Sequence, residues 1–100
     1  MNTSKYKVFL KVAELGNITR AAQELNYTQS GVSQIISSLE RELGFPLLVR
    51  TKAGTVLTSS GERVLESIRQ IVKWEGSLQQ IATSILGLET GMIRVGTFVS

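Results

Sequence analysis

Gln29, Ser30, Ser33, Gln34 and Ser37 share one face of a segment whose spacing predicts a helix, and their side chains end in amides and hydroxyls rather than charges. Such groups suit the hydrogen-bonding edges of bases in a DNA groove. A Gln carboxamide pairs with adenine through two bonds, and a Ser hydroxyl serves several bases. Across residues 28–39 the chain carries no charge at all, while Val32, Ile36 and Leu39 mark the opposite, apolar side. A helix face that meets only water is normally rich in Lys and Glu. The uncharged polar face therefore points to double-stranded DNA as its partner, with a merely solvated polar face as the competing explanation.

Other chemistry is poorly supplied. The chain has no Cys and no His, so disulfides, thiol nucleophiles, imidazole bases and the usual zinc ligands are all missing. Glu40 and Glu42 stand two apart on a helix and diverge, which argues against a carboxylate dyad. The expectation is a protein that is not an enzyme and needs no cofactor or metal. Net charge is +3 over 100 residues, and residues 1–60 hold seven bases against four acids, so the basic excess lies in the first part of the chain. No apolar run has the length of a membrane span or a signal peptide. A cytoplasmic location without a membrane partner is expected.

The elements that must position the polar face follow from apolar spacing and punctuation. Val8, Phe9, Val12, Ala13 and Leu15 predict a first helix over residues 4–15, stopped by Gly16. Asn17 is placed to cap a short second helix over 18–25, in which Ala21, Ala22 and Leu25 allow close helix approach. Asn26 and Tyr27 make a turn. Thr28 is placed to cap a third helix that ends near Leu43 and Gly44, with Pro46 blocking continuation. Leu47 to Arg50 and Thr55 to Leu57 read as two short strands around a Thr51-Lys52-Ala53-Gly54 turn, a two-stranded wing. Ser59, three residues before Glu62, has the spacing of a capping box and opens a helix to about Leu86, on the order of 40 Å long at ~1.5 Å per residue. Its residues Val64, Ile68, Ile71, Leu78, Ala82 and Ile85 follow steps of three and four, with Glu75 interrupting the seam. Such a stripe calls for a partner helix, most simply from a second copy. Residues 91–100 read as a strand entering a turn, with no later strand to pair with it, and so as the start of a further domain.

The motif words from Phe9 to about Ile71 resemble the winged helix-turn-helix domain of LysR-type transcriptional regulators. They are Ala21-Ala22 with Leu25, Gln29-Ser30-Gly31-Val32-Ser33, Leu39-Glu40 through Glu42-Leu43-Gly44, Pro46-Leu47 with Arg50, and Leu57-Thr58 with Gly61. The resemblance implies a mainly α fold: three helices plus a two-stranded wing, followed by a long linker or dimerisation helix. It implies residues 1–58 as the DNA-binding domain, with the helix-turn-helix at about 18–37 and the wing at about 47–58. Residues 59–87 would be the linker, and 88–100 the start of an effector domain otherwise absent. It also implies a bacterial transcription regulator that works as a homodimer or higher oligomer and takes a small-molecule effector only through that absent domain. Three positions depart from the family pattern: Gln34, where a basic residue is common, Ile35, where a polar one is common, and Leu48, where Phe is usual. Ile35 either widens the core contact or meets a thymine methyl.

The candidate DNA contacts of the third helix are Thr28, Gln29, Ser30, Ser33, Gln34 and Ser37, and those of backbone and wing are Thr19, Arg20, Arg50, Thr51 and Lys52. Thr19 and Arg20 can donate to phosphate at a helix N-terminus, or serve as plain cap and solvated cation. The resemblance implies that Arg50 lies near the minor groove or adjacent backbone; a competing role is an ion pair with Glu40 or Glu42 that fixes the wing. Lys52 is read as a diffuse phosphate contact, and Lys5 as a weaker one. Val64, Ile68, Ile71, Trp74, Leu78, Ile81, Ala82 and Ile85 are the candidate dimerisation residues, Trp74 being read as a dimer or domain contact. The alternative from another class is a winged-helix module that docks another protein on the same uncharged face.

Overall fold

Side chains too apolar to face water set the arrangement. Val8, Phe9 and Val12 from the first helix meet Ala21 and Ala22 from the second, Val32, Ile36 and Leu39 from the third, Leu47 before the wing and Ile68 from the last helix. The computed structural model describes residues 3–91. The elements are α1 (Ser4–Leu15), α2 (Ile18–Leu25), α3 (Gln29–Leu43), β1 (Leu48–Thr51), β2 (Gly54–Leu57) and α4 (Ser59–Gly91). This is a winged helix-turn-helix with a long C-terminal helix.

Local chemistry accounts for the helix ends. Gly16 follows α1 in the left-handed region and its N–H bonds to the carbonyl of Val12. The Asn17 side chain then accepts from the N–H of Arg20 to start α2. Asn26 takes φ 61° at the other end, a conformation its short amide tolerates. Thr28 caps α3 by accepting from the N–H of Gly31 at 2.9 Å. Three helices in so few residues pack closely because the side chains of α2 at the contact are Ala21 and Ala22, both buried.

The wing is antiparallel, with Leu48 opposite Leu57, Val49 opposite Val56, Arg50 opposite Thr55 and Thr51 opposite Gly54. The period of two places Leu48 and Arg50 on one face and Val49 on the other. Three links hold this small sheet to the helices. The N–H of Thr55 donates to the carbonyl of Gly16, and that of Thr58 to the carbonyl of Leu47. The third is Glu40, whose carboxylate accepts from the N–H groups of Leu47 at 2.7 Å and Leu48 at 3.2 Å. At Gly54 a side chain would be excluded twice over, by φ 132° and by a Cβ 2.7 Å from the Gly16 carbonyl oxygen.

Four expectations are corrected. The cap of α4 is Thr58, not Ser59: its hydroxyl accepts from the N–H of Gly61 at 2.9 Å and donates to the Pro46 carbonyl at 2.7 Å. A hydroxyl that joins two elements holds the helix start better than one that reaches only its own turn. The helix also runs through Gly87 to Gly91, beyond the expected end. Ile68 is 3% exposed inside the module's own core, and Val64 packs partly buried against it, so neither lies on an open seam. Glu75 does not interrupt that seam either, because it is buried against α1. The stripe that remains uncovered is Ile71, Trp74, Leu78, Ile81 and Ile85, again in steps of three and four. Ala82 is exposed beside it. Residues 92–100 of the expected strand lie outside the described residues, and Gly91 is the last residue of α4.

Candidate nucleic-acid interface

The uncharged face of α3 is turned outward. Gln29, Ser30, Gln34 and Ser37 are exposed and Ser33 is half-buried at the edge of the helix, while Val32, Ile36 and Leu39 fill the core behind them. Ile35 packs against the core, so its methyl groups face protein rather than the polar face. Thr28 is exposed at the N-terminus, where its hydroxyl caps the helix and lies 3.4 Å from that of Ser30. It thereby fixes the first turn, from which Gln29 and Ser30 project.

Folding brings distant parts of the chain to this face. Gly16, Asn17, Ile18 and Thr19 before and at the start of α2, Gln29 at the start of α3, and Arg50, Thr51, Gly54 and Thr55 of the wing line one cleft of about 180 Å³. Two helix N-termini therefore open beside the same cleft, each with a partial positive charge suited to an anion. A second cleft, between α3 and the wing, is lined by Ser33, Ile36 and Ser37 on one side and Leu48, Val49 and Arg50 on the other. Arg50 borders both. Its place on the same strand face as Leu48 turns it toward α3 rather than out to the side.

The charged candidates separate by what they touch. Arg50 makes no ion pair among the described residues, because Glu40 is bonded to the wing backbone and Glu42 is paired with Lys5 at 2.8 Å. The expected alternative, an Arg50 bridge to Glu40 or Glu42, is thus replaced by a backbone anchor. Lys5, a weak candidate for phosphate, is engaged by Glu42. Arg20 is exposed, with its guanidinium 4.0 Å from Glu24. Lys11 bridges Glu14 and Glu24, and the Glu14 bond and charge hold its ammonium above the usual lysine value. Lys52 is exposed at the wing turn. The Thr51 hydroxyl closes that turn by donating to the Gly54 carbonyl and accepting from the N–H of Ala53, so its side chain builds the wing tip.

One cation was overlooked in the sequence. Arg41 lines a shallow groove with Ser33, Gln34, Ser37 and Ser38 along α3. It lies seven residues after Gln34, two helical turns along the same strip, and that spacing was the available signal. It makes no ion pair among the described residues, whereas its neighbours Glu40 and Glu42 are both engaged. It is the first positive charge beyond the uncharged stretch, on the helix whose position 34 lacks one.

An outward recognition-type helix, a second helix crossing behind it and a two-stranded wing at its side define a winged helix-turn-helix module. Residues 3–62 match the family described as bacterial regulatory helix-turn-helix protein, lysR family. The chain belongs to that family. It is 42% identical over 99 residues to an uncharacterised HTH-type transcriptional regulator, YvbU, of Bacillus subtilis, covering 98% of this chain and 34% of that protein. It is 37% identical to the HTH-type transcriptional regulator CzcR of Bacillus cereus, covering 97% of this chain and 33% of CzcR. The chain thus spans about a third of the length of the curated relatives it matches. Among solved structures, it superposes on the LysR family transcriptional regulator CbnR with TM-score 0.78 at 33% identity, covering 84% of this chain and 29% of that one. The complex of the CbnR DNA-binding domain with DNA gives TM-score 0.77 at 32% identity, covering 86% of this chain and 99% of that one. No helix among the described residues is long and apolar enough to cross a membrane.

Proposed function

We propose that this chain is the DNA-reading module of a LysR-family transcriptional regulator. In this reading α3 enters the major groove and Gln29, Ser30, Ser33, Gln34 and Ser37 meet base edges. Arg50 and Lys52 of the wing, Arg20 and Thr19 at the start of α2, and Arg41 at the far end of α3 hold the phosphate backbone. The single observation that carries it is the outward, uncharged face of α3 flanked by two helix N-termini and by Arg50, which makes no ion pair among the described residues. A water-exposed face would have no reason to exclude charge while gathering cations at its borders. The exposed stripe from Ile71 to Ile85 pairs two modules, so that two half-sites are read together.

The test is a titration of duplex DNA at two salt concentrations. Each phosphate contact contributes a slope of about −0.9 in log affinity against log salt, so Arg20, Arg41, Arg50 and Lys52 together give about −3.6 per module. A fourfold rise in salt then weakens each module roughly 150-fold. Duplex binding that is absent, or indifferent to salt, overturns the reading and favours a module that docks another protein on the same face.

A further inference from the structure

We infer that Glu75 is a positioning residue that fixes the angle of α4 on the DNA-reading module and, through it, the half-site spacing that a pair of modules accepts. This rests on the paired-module reading above. Glu75 is 6% exposed, although α4 is otherwise bare to solvent on its far side. One carboxylate oxygen accepts from the hydroxyl of Thr3 at 2.7 Å and lies 3.3 Å from the ammonium of Lys7; the other accepts from the Gln79 amide at 3.4 Å. Thr3 occupies the N-cap position of α1 yet makes no side-chain bond to its own helix. Its buried hydroxyl is given to Glu75 instead.

The location of this contact gives it leverage. Ile68 is the last residue of α4 in the fully buried core, and residues 78–87 are exposed throughout. Among the described residues, Glu75 is therefore the outermost buried tie between the module and the half of α4 that carries Leu78, Ile81 and Ile85. Without it the pivot retreats toward Ile68, and the free arm to Ile85 grows from ~15 Å to ~25 Å at 1.5 Å per residue. A tilt of ~10° then moves the end of the stripe by ~4 Å, comparable with the ~3.4 Å advance of one base pair. Apolar contacts permit such sliding because they are non-directional. A buried carboxylate held by a hydroxyl and an ammonium does not, since moving it leaves a charge without partners.

The experiment uses a duplex selected by the wild-type chain from a randomised pool, a single half-site cut from it, and versions with base pairs inserted between half-sites. Inserting a single base pair moves one half-site by ~3.4 Å along the duplex and turns it by roughly 35°. Wild type loses the second module's engagement and weakens by about a hundredfold. Glu75→Ala is expected to weaken by less than about tenfold on the same insertion, with single half-site binding within about twofold of wild type. Glu75→Gln keeps an acceptor for Thr3 and restores most of the penalty. If Glu75→Ala fails to fold, Thr3→Val, which removes the donor and keeps the volume, must relax the spacing instead. Foldable variants that keep the wild-type penalty overturn the positioning role. A wild-type chain with no spacing penalty overturns the paired-module reading, and the inference with it, before any variant is compared.

Discussion

Replacing Glu40 tests whether the wing is held by a carboxylate on α3 or by its own hairpin. Two N–H donors, those of Leu47 and Leu48, converge on one Glu40 oxygen at 2.7 and 3.2 Å in a partly buried setting. Hydrogen bonds to a charged acceptor contribute about 1.5 to 3 kcal/mol each, and two that share one oxygen fall toward the low end, giving about 2 to 4 kcal/mol together. Glu40→Ala removes both and leaves the Leu47 N–H without an acceptor. Glu40→Gln retains an amide oxygen and should cost about half as much. A module of this size has a stability of roughly 5 to 13 kcal/mol, so the alanine variant should show a clear drop in its urea midpoint. The consequence reaches function because Arg50 lies two residues beyond Leu48. With the wing loosened, Arg50→Ala should weaken DNA binding less in the Glu40→Ala background than alone, a coupling of about 1 kcal/mol in a double-mutant cycle. Equal and near-zero effects of Glu40→Ala and Glu40→Gln, or additive losses with Arg50→Ala, would refute the anchor.

Gly61→Ala should destabilise by about 1 to 3 kcal/mol or more, because a Cβ there would run into the Leu47 carbonyl oxygen and approach the Leu57 side chain to 3.2 Å; a denaturant midpoint equal to wild type would count against this packing. Ile68→Ala should cost about 2 to 5 kcal/mol independent of protein concentration, whereas Leu78→Ala, at a position 50% exposed, should change self-association measured by sedimentation and leave single-module unfolding nearly untouched. Exchanged behaviour of the two variants would return Ile68 to the seam. The Thr3 hydrogen bond and the Lys7 ammonium outweigh burial and hold the Glu75 carboxyl below its ordinary value of 4.5. Its contribution is therefore present above that value and lost as the pH falls through the lower, folded-state value. Unfolding followed below pH 4.5 should show a steeper acid loss in wild type than in Glu75→Gln, and parallel curves would remove Glu75 from the linkage.

The parts of this fold that sequence made legible are those decided within a few residues. Gly16, Asn17, Thr28 and Gly44 mark the ends of the first three helices because a left-handed turn or a side-chain cap is local chemistry. The face of α3 was readable for the same reason: Val32, Ile36 and Leu39 define one side, and the polar residues must then take the other. What escaped depended on neighbours far along the chain. Ile68 and Ile71 look alike in a stripe of three and four, and only the arrival of α1 buries the first and leaves the second open. Glu75 read as a flaw in an apolar seam because its donors, Thr3 and Lys7, come from the opposite end of the chain. Thr58 displaced Ser59 as the cap because its hydroxyl also reaches the Pro46 carbonyl. Glu40 was legible as a possible wing holder only through an ion pair with Arg50, since a carboxylate that bonds two backbone N–H groups looks in sequence like any charge on a helix.

The most direct measurement compares Gln29→Ala with Lys52→Ala on a duplex selected by the wild-type chain and on random duplex of the same length and salt. Base reading by α3 predicts that Gln29→Ala loses about 1 to 3 kcal/mol on the selected duplex and little on random DNA, while Lys52→Ala weakens both alike. Equal losses for Gln29→Ala on the two duplexes would contradict it.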